Sequence, residues 1–100
     1  YNILGKYEEA LNDLNKAIEI NPRNSIAYNN RGTVYYNLKI YRKAIVDYDG
    51  AIQQNPRYAE AYFNRGRTYL KIGNSKQALI DFKKADKLGL KQARDYLRRL

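Results

Sequence analysis

Carboxylates at helical spacing are the first residues that could do chemistry: Asp47 with Asp49, and Asp81 with Asp86. Acidic pairs of this kind serve as general acid and base when their surroundings set their pKa values apart. The chain has no histidine and no cysteine, so the commonest general base, the commonest metal ligand and every thiolate site are missing. Carboxylates, amides and hydroxyls remain, without a nucleophile–base set, a glycine-rich phosphate loop or metal-ligand spacing. These residues point away from an enzyme and from any cofactor or metal. Asp47 and Asp81 lie 34 residues apart and are read as structural, with Arg31 and Arg65 as their ion-pair partners.

The net charge of +9 over 100 residues is unevenly spread. Residues 1–56 hold 7 Lys and Arg against 6 Asp and Glu, whereas residues 57–100 hold 12 against 4. A basic second half favours acidic partners: an acidic peptide, a carboxyl terminus, nucleic acid or an anionic surface. It also serves solubility alone. Tyr58, Tyr62 and Tyr96 among these charges would suit nucleic acid. No RNA-reading motif accompanies them, and protein binding ranks well above that reading.

What positions these residues is a repeat. The 34-residue stretch Ser25–Tyr58 recurs from Ala59: Tyr28 returns as Tyr62, Asn30 as Asn64, Arg31 as Arg65, Gly32 as Gly66, Tyr35 as Tyr69, Ala44 as Ala78 and Tyr48 as Phe82. Read backwards by the same period, Tyr7, Ala10, Asp13 and Leu14 lie under Tyr41, Ala44, Asp47 and Tyr48. A fixed period of this length marks a solenoid of stacked helical units, in which each unit buries its apolar face on the next.

The local signals predict the elements. The opening YNIL reads as a helix tail ended by Gly5 in a left-handed conformation. Tyr7, Ala10, Leu11, Leu14, Ala17 and Ile18 then give an amphipathic helix to Ile20, stopped by Asn21-Pro22. Ser25 is the expected N-cap of a helix over 26–38. Lys39 stands where Gly5 and Gly73 stand, so it must turn left-handed or force a different turn. Helices follow over 41–54, with Gly50 unexpectedly inside, then over 59–72 after Asn55-Pro56, and over 75–87 with Ser75 as cap. Leu88-Gly89 ends the last of these, and LKQARDYLRRL reads as a final amphipathic helix with the character of a cap. The whole is one domain: a partial repeat over 1–24, repeats over 25–58 and 59–89, and a capping helix over 90–100. No stretch approaches the ~18 apolar residues of a membrane span, and Tyr1 does not open a signal peptide. The compartment stays open, with the cytoplasm slightly favoured.

Tyr28, Arg31-Gly32, Tyr35, Ala44, Tyr48 and Pro56, then Tyr62, Arg65-Gly66, Tyr69, Ala78 and Phe82, resemble the tetratricopeptide repeat, in its Asn-Arg-Gly subtype common in bacterial multi-repeat proteins. Mechanically, Gly32 and Gly66 would let two helices cross closely, opposite Ala44, Ala51, Ala78 and Ala85. Tyr28, Tyr35, Tyr48, Tyr62, Tyr69 and Phe82 would fill the wider gaps, making most of the 11 tyrosines core.

The resemblance implies an all-α solenoid, a right-handed superhelix whose first helices line a concave groove. It also implies a non-catalytic scaffold for protein–protein interaction that binds a peptide or partner helix. Mapped onto this chain, the groove side chains are Ile26, Asn29, Asn30, Thr33, Tyr36 and Asn37, then Glu60, Phe63, Asn64, Arg67, Leu70 and Lys71, with Arg94 and Arg98 from the capping helix. Asn30 and Asn64 can bond a peptide backbone, Tyr36, Phe63 and Leu70 offer apolar contact, and the four cations could clamp a carboxylate. Some family members hold the acidic tail of chaperones with a Lys, Asn, Asn, Lys and Arg clamp. With Asn64 as the central asparagine, Arg94 and Arg98 follow correctly, but the preceding pair becomes Asn29 and Thr33, so that ligand is not assigned. The other alternative is self-association through an uncapped N-terminal edge formed by Leu4, Leu11, Leu14 and Ile18.

Overall fold

The computed structural model describes residues 3–99, with side chains from Gly5 onward. Among the described residues six helices follow one another: α1 (Ile3–Ile20), α2 (Ser25–Asn37), α3 (Tyr41–Gln54), α4 (Ala59–Lys71), α5 (Ser75–Lys87) and α6 (Lys91–Arg99). Each packs chiefly on its neighbours in sequence, and α2 also meets α4. This is the packing of a helical solenoid, extending 37 × 28 × 20 Å.

Three of the turns share one mechanism. Ile40 N–H donates to the Tyr35 carbonyl at 2.9 Å, Asn74 N–H to Tyr69 at 2.8 Å and Leu90 N–H to Ala85 at 3.0 Å. The residue before each donates one step inside that bond, giving Schellman caps at Lys39, Gly73 and Gly89. Their φ values are 64°, 82° and 101°. Lys39 therefore takes the left-handed conformation that its neighbours in the repeat reach with glycine. Gly5 does not: α1 runs through it without a break, against the turn expected there. A glycine permits a left-handed turn without imposing one, and within a helix it costs about 1 kcal/mol.

The expected serine caps are also corrected. Asn24 caps α2, its side chain accepting from Ala27 N–H at 3.1 Å, and Asn74 caps α5, accepting from Gln77 N–H at 3.2 Å. Both serines instead open their helices. An amide oxygen one residue earlier satisfies the same orphan donor, and Asn and Ser are nearly equal as caps.

The core is built from small residues and two rings. Ala44, Tyr48 and Ala51 on α3, and Ala78, Phe82 and Ala85 on α5, are fully buried. A Cβ on Gly32 would lie 2.8 Å from Tyr48 Cε1 and 3.2 Å from the Ala44 carbonyl; one on Gly66 would meet Phe82 and Ala78 at the same distances. Gly50 sits under the Tyr28 ring, where a Cβ would lie 3.1 Å away. Tyr28, Tyr35, Tyr62 and Tyr69 are only half-buried, which corrects the expectation that most tyrosines are core. The Tyr28 and Tyr62 hydroxyls reach out to the carbonyls of Pro22 and Pro56, each at 3.0 Å, so an amphipathic residue covers the core edge with its polar tip outside.

Candidate functional site

The acidic pairs are committed to arginines. Arg31 donates through Nε and Nη2 to both oxygens of Asp47, at 2.9 and 2.7 Å, and through Nη1 to Asn15 at 3.0 Å. One period later, Arg65 holds Asp81 at the same distances and Asp49 at 2.8 Å. Each arginine thus ties the helix that follows its own to the helix that precedes it. Asp47 and Asp81 are 3% and 1% exposed. The hydrogen bond to Asp47 raises the Arg31 pKa against burial. Burial works against the Arg65 charge too, but its bonds to Asp81 and Asp49 outweigh that and hold it ionised. Asp86 pairs with Arg94 at 3.0 Å. A shallow pocket of about 240 Å³, lined by Arg31, Tyr35, Lys43, Val46 and Asp47, lies beside this pairing and offers no unpaired acid.

The groove residues form a different arrangement, running from α2 across α4 to α6. Arg67 lies between two rings, 5.0 Å from the Tyr36 centroid and 5.3 Å from that of Phe63. Its Nη2 donates to Asn64 Oδ1 at 3.1 Å, and Asn64 Nδ2 donates to Asn29 Oδ1 at 3.1 Å. The Arg67 Nε is buried without an acceptor among the described residues. Phe63 also touches Tyr96 at 5.5 Å between centroids, and Tyr96 touches Phe82 at 4.8 Å, which ties α6 to the same surface.

Asn29 is 7% exposed and is spent joining α2 to α4. Thr33 donates to the Asn29 carbonyl at 3.0 Å and bonds the Tyr48 hydroxyl at 3.0 Å. Both are therefore supports of the surface rather than open contacts. Burial raises the Tyr48 pKa while the Thr33 bond opposes it. Ile26, Asn30, Asn37, Glu60, Lys71 and Arg98 are exposed, and the five polar members make no side-chain hydrogen bond or ion pair among the described residues. Leu70 is half-buried. Arg94 is exposed and partly neutralised by Asp86.

Two further residues belong to this surface: Tyr58 breaks the repeat pattern, and Tyr96 follows Tyr28 and Tyr62 in register. Tyr58 occupies the N-cap position of α4, where Asn24 stands in α2, and provides no side-chain cap. Burial pushes its pKa up, and Asn29 opposes that shift. A tyrosine in place of a capping residue is the signal that could have marked it. Tyr96 reads in sequence as one more apolar residue of α6; only packing shows its ring against Phe63.

Comparison with known proteins supports the architecture independently. The family described as TPR repeat matches residues 1–39 and 41–73, and that described as Tetratricopeptide repeat matches residues 59–88. The chain belongs to the tetratricopeptide-repeat family, an all-α class of protein-interaction module. The first TPR of Spaghetti (RPAP3), bound to HSP90 peptide SRMEEVD, is similar to it with a TM-score of 0.88 and 28% identity, over 96% of this chain and 78% of that one. The Arabidopsis OM64 TPR domain is similar with a TM-score of 0.89 and 27% identity, over 95% and 80%. MamA is similar with a TM-score of 0.82 and 30% identity, over 92% of this chain and 54% of its own. No curated protein matches the chain in sequence.

Proposed function

We propose that the α2–α4–α6 surface binds an extended acidic peptide, and that the chain acts by this contact without catalysis. The observation that carries the reading is Arg67, stacked between Tyr36 and Phe63 and bonded to Asn64. Stacking orders a long side chain before the ligand arrives, so less conformational entropy is lost on binding. Around it lie groups able to take a peptide: Asn30 and Asn37 for the backbone, Leu70 for an apolar side chain, and Lys71, Arg94 and Arg98 for carboxylates. Glu60 at the start of α4 disfavours acidic residues at that end and so sets direction. The similar Spaghetti domain is bound to a peptide with two glutamates and an aspartate, which supports the acidic class. In this chain Asn29 is buried and already bonded to Asn64, so it is not among the groups offered to the peptide.

The non-catalytic reading rests on the acids: Asp47, Asp49, Asp81 and Asp86 each hold an arginine at 3.0 Å or closer. A titration of fluorescein-labelled SRMEEVD followed by anisotropy tests the binding claim. Saturable binding that weakens about tenfold in Arg98→Glu, and weakens with salt, supports it. Equal binding by wild type and Arg98→Glu contradicts it.

A further inference from the structure

The outer side of α5 carries a charge pattern that the packing does not ask for. Lys76, Ile80, Lys83 and Lys87 follow at helical spacing and share one face, opposite the buried Ala78, Phe82 and Ala85. One period earlier, the same positions on α3 hold Arg42, Val46, Asp49 and Gln53. On α1 they hold Glu8, Asn12, Asn15 and Glu19. Every one of these side chains is exposed. The fold accepts acid, amide or base there, so three lysines around Ile80 are a property of α5 and not of the repeat.

Two apolar side chains stand among these cations. Val46 is 66% exposed and Ile80 52%, and they hold the same position in successive repeats. Lys43 lines a shallow cavity with Val46 and lies over the Tyr35 ring at 5.5 Å. Lys84, one turn after Ile80, lies over the Tyr62 ring at 5.9 Å. The rings steady both ammonium groups and leave them their full charge. The ion pairs of the described residues use none of Arg42, Lys43, Lys76, Lys83, Lys84 and Lys87. The exposed acid of α3, Asp49, is already bonded to Arg65 at 2.8 Å.

We infer that this outer surface of α3 and α5 docks on a bilayer of anionic phospholipids, with the cations at the phosphates and Val46 and Ile80 entering the headgroup layer. Each lysine or arginine beside an anionic bilayer strengthens binding about fivefold, and an aliphatic tip adds to this by leaving water. The two tips decide between polyanions. A nucleic acid would use the cations equally well, but it offers no apolar layer to Val46 and Ile80. Helix α5 also presents no ring on which a base could stack, because Phe82, its aromatic residue, is fully buried. The peptide surface of α2, α4 and α6 plays no part here, so either reading can fail alone.

Co-sedimentation of the 100-residue chain with vesicles at low salt tests it, comparing a mixture of phosphatidylcholine and phosphatidylserine with phosphatidylcholine alone. Wild type should pellet with the anionic vesicles, stay in solution with the neutral ones, and be released by raised salt. The triple variant Lys76→Gln, Lys83→Gln, Lys87→Gln should bind about a hundredfold more weakly. Ile80→Asn, which gives α5 the amide that α1 carries, should bind about fivefold more weakly. All four changes fall at exposed positions, and circular dichroism that matches wild type shows that each variant is folded. Wild type left in solution with the anionic vesicles overturns the inference. So does equal binding to the neutral vesicles, or a triple variant that binds like wild type. Undiminished binding by Ile80→Asn overturns it too, since the surface would then serve any polyanion.

Discussion

At the scale of residues, the two ion pairs of Arg65 separate a buried partner from an exposed one. Asp81 has a side chain only 2% exposed, and that of Asp49 is 53% exposed. Removing one partner of a buried pair leaves an uncompensated charge, at a cost of about 3–5 kcal/mol, whereas an exposed pair contributes about 0–1 kcal/mol. Urea melts should therefore show Arg65→Ala destabilised by about 3 kcal/mol and Asp49→Ala by under about 1 kcal/mol. Tyr48 carries a pH signature. Its phenol is raised by burial, so the unfolded chain ionises first. Stability is then fully present below roughly pH 10, the ordinary tyrosine value, and is lost as pH rises from there through the folded pKa. Thermal melts of Tyr48→Phe should lose less stability between pH 9 and 11 than wild type. The arginine–aspartate pairs were legible as residues recurring in register, and so was the close crossing at Gly32 and Gly66. The stacking of Arg67 was not, because its two rings belong to different helices and nothing in the spacing of either points to the other.

At the scale of elements, the repeat period placed all five turns, and the chemistry of single turns decided the rest. Asn24 and Asn74 cap where the serines beside them were expected, since two polar neighbours compete for one orphan amide and local sequence does not choose between them. Gly5 lies within α1 although it aligns with two left-handed positions, because glycine tolerates both states. Lys39 is the reverse case. It holds φ at 64° in a Schellman cap that Gly73 and Gly89 form without a Cβ. A non-glycine residue there costs about 1–2 kcal/mol, partly offset because a lysine leaves the unfolded chain less freedom than glycine does. Lys39→Gly should stabilise the fold by about 1 kcal/mol, read as a rise in the urea midpoint at unchanged slope. An unchanged or lower midpoint would mean that the lysine side chain makes up for its backbone.

At the scale of the whole molecule, the helices set out one surface from first helices α2, α4 and α6 while α1, α3 and α5 brace them. The family resemblance, mapped through the period, assigned residues to that surface, but it could not tell which of them stay open. Asn29 and Thr33 are turned to internal hydrogen bonds, and only the packed structure separates them from Asn30, Asn37 and Lys71. Backbone amide chemical-shift mapping of the isotope-labelled chain with unlabelled SRMEEVD measures the peptide claim most directly. The account predicts shifts concentrated on α4 and α6, around Asn64, Arg67, Lys71 and Arg98, and reaching Tyr36 on α2, with α3 and the outer side of α5 undisturbed. Shifts centred on α3 and α5, or none at saturating peptide, would contradict it.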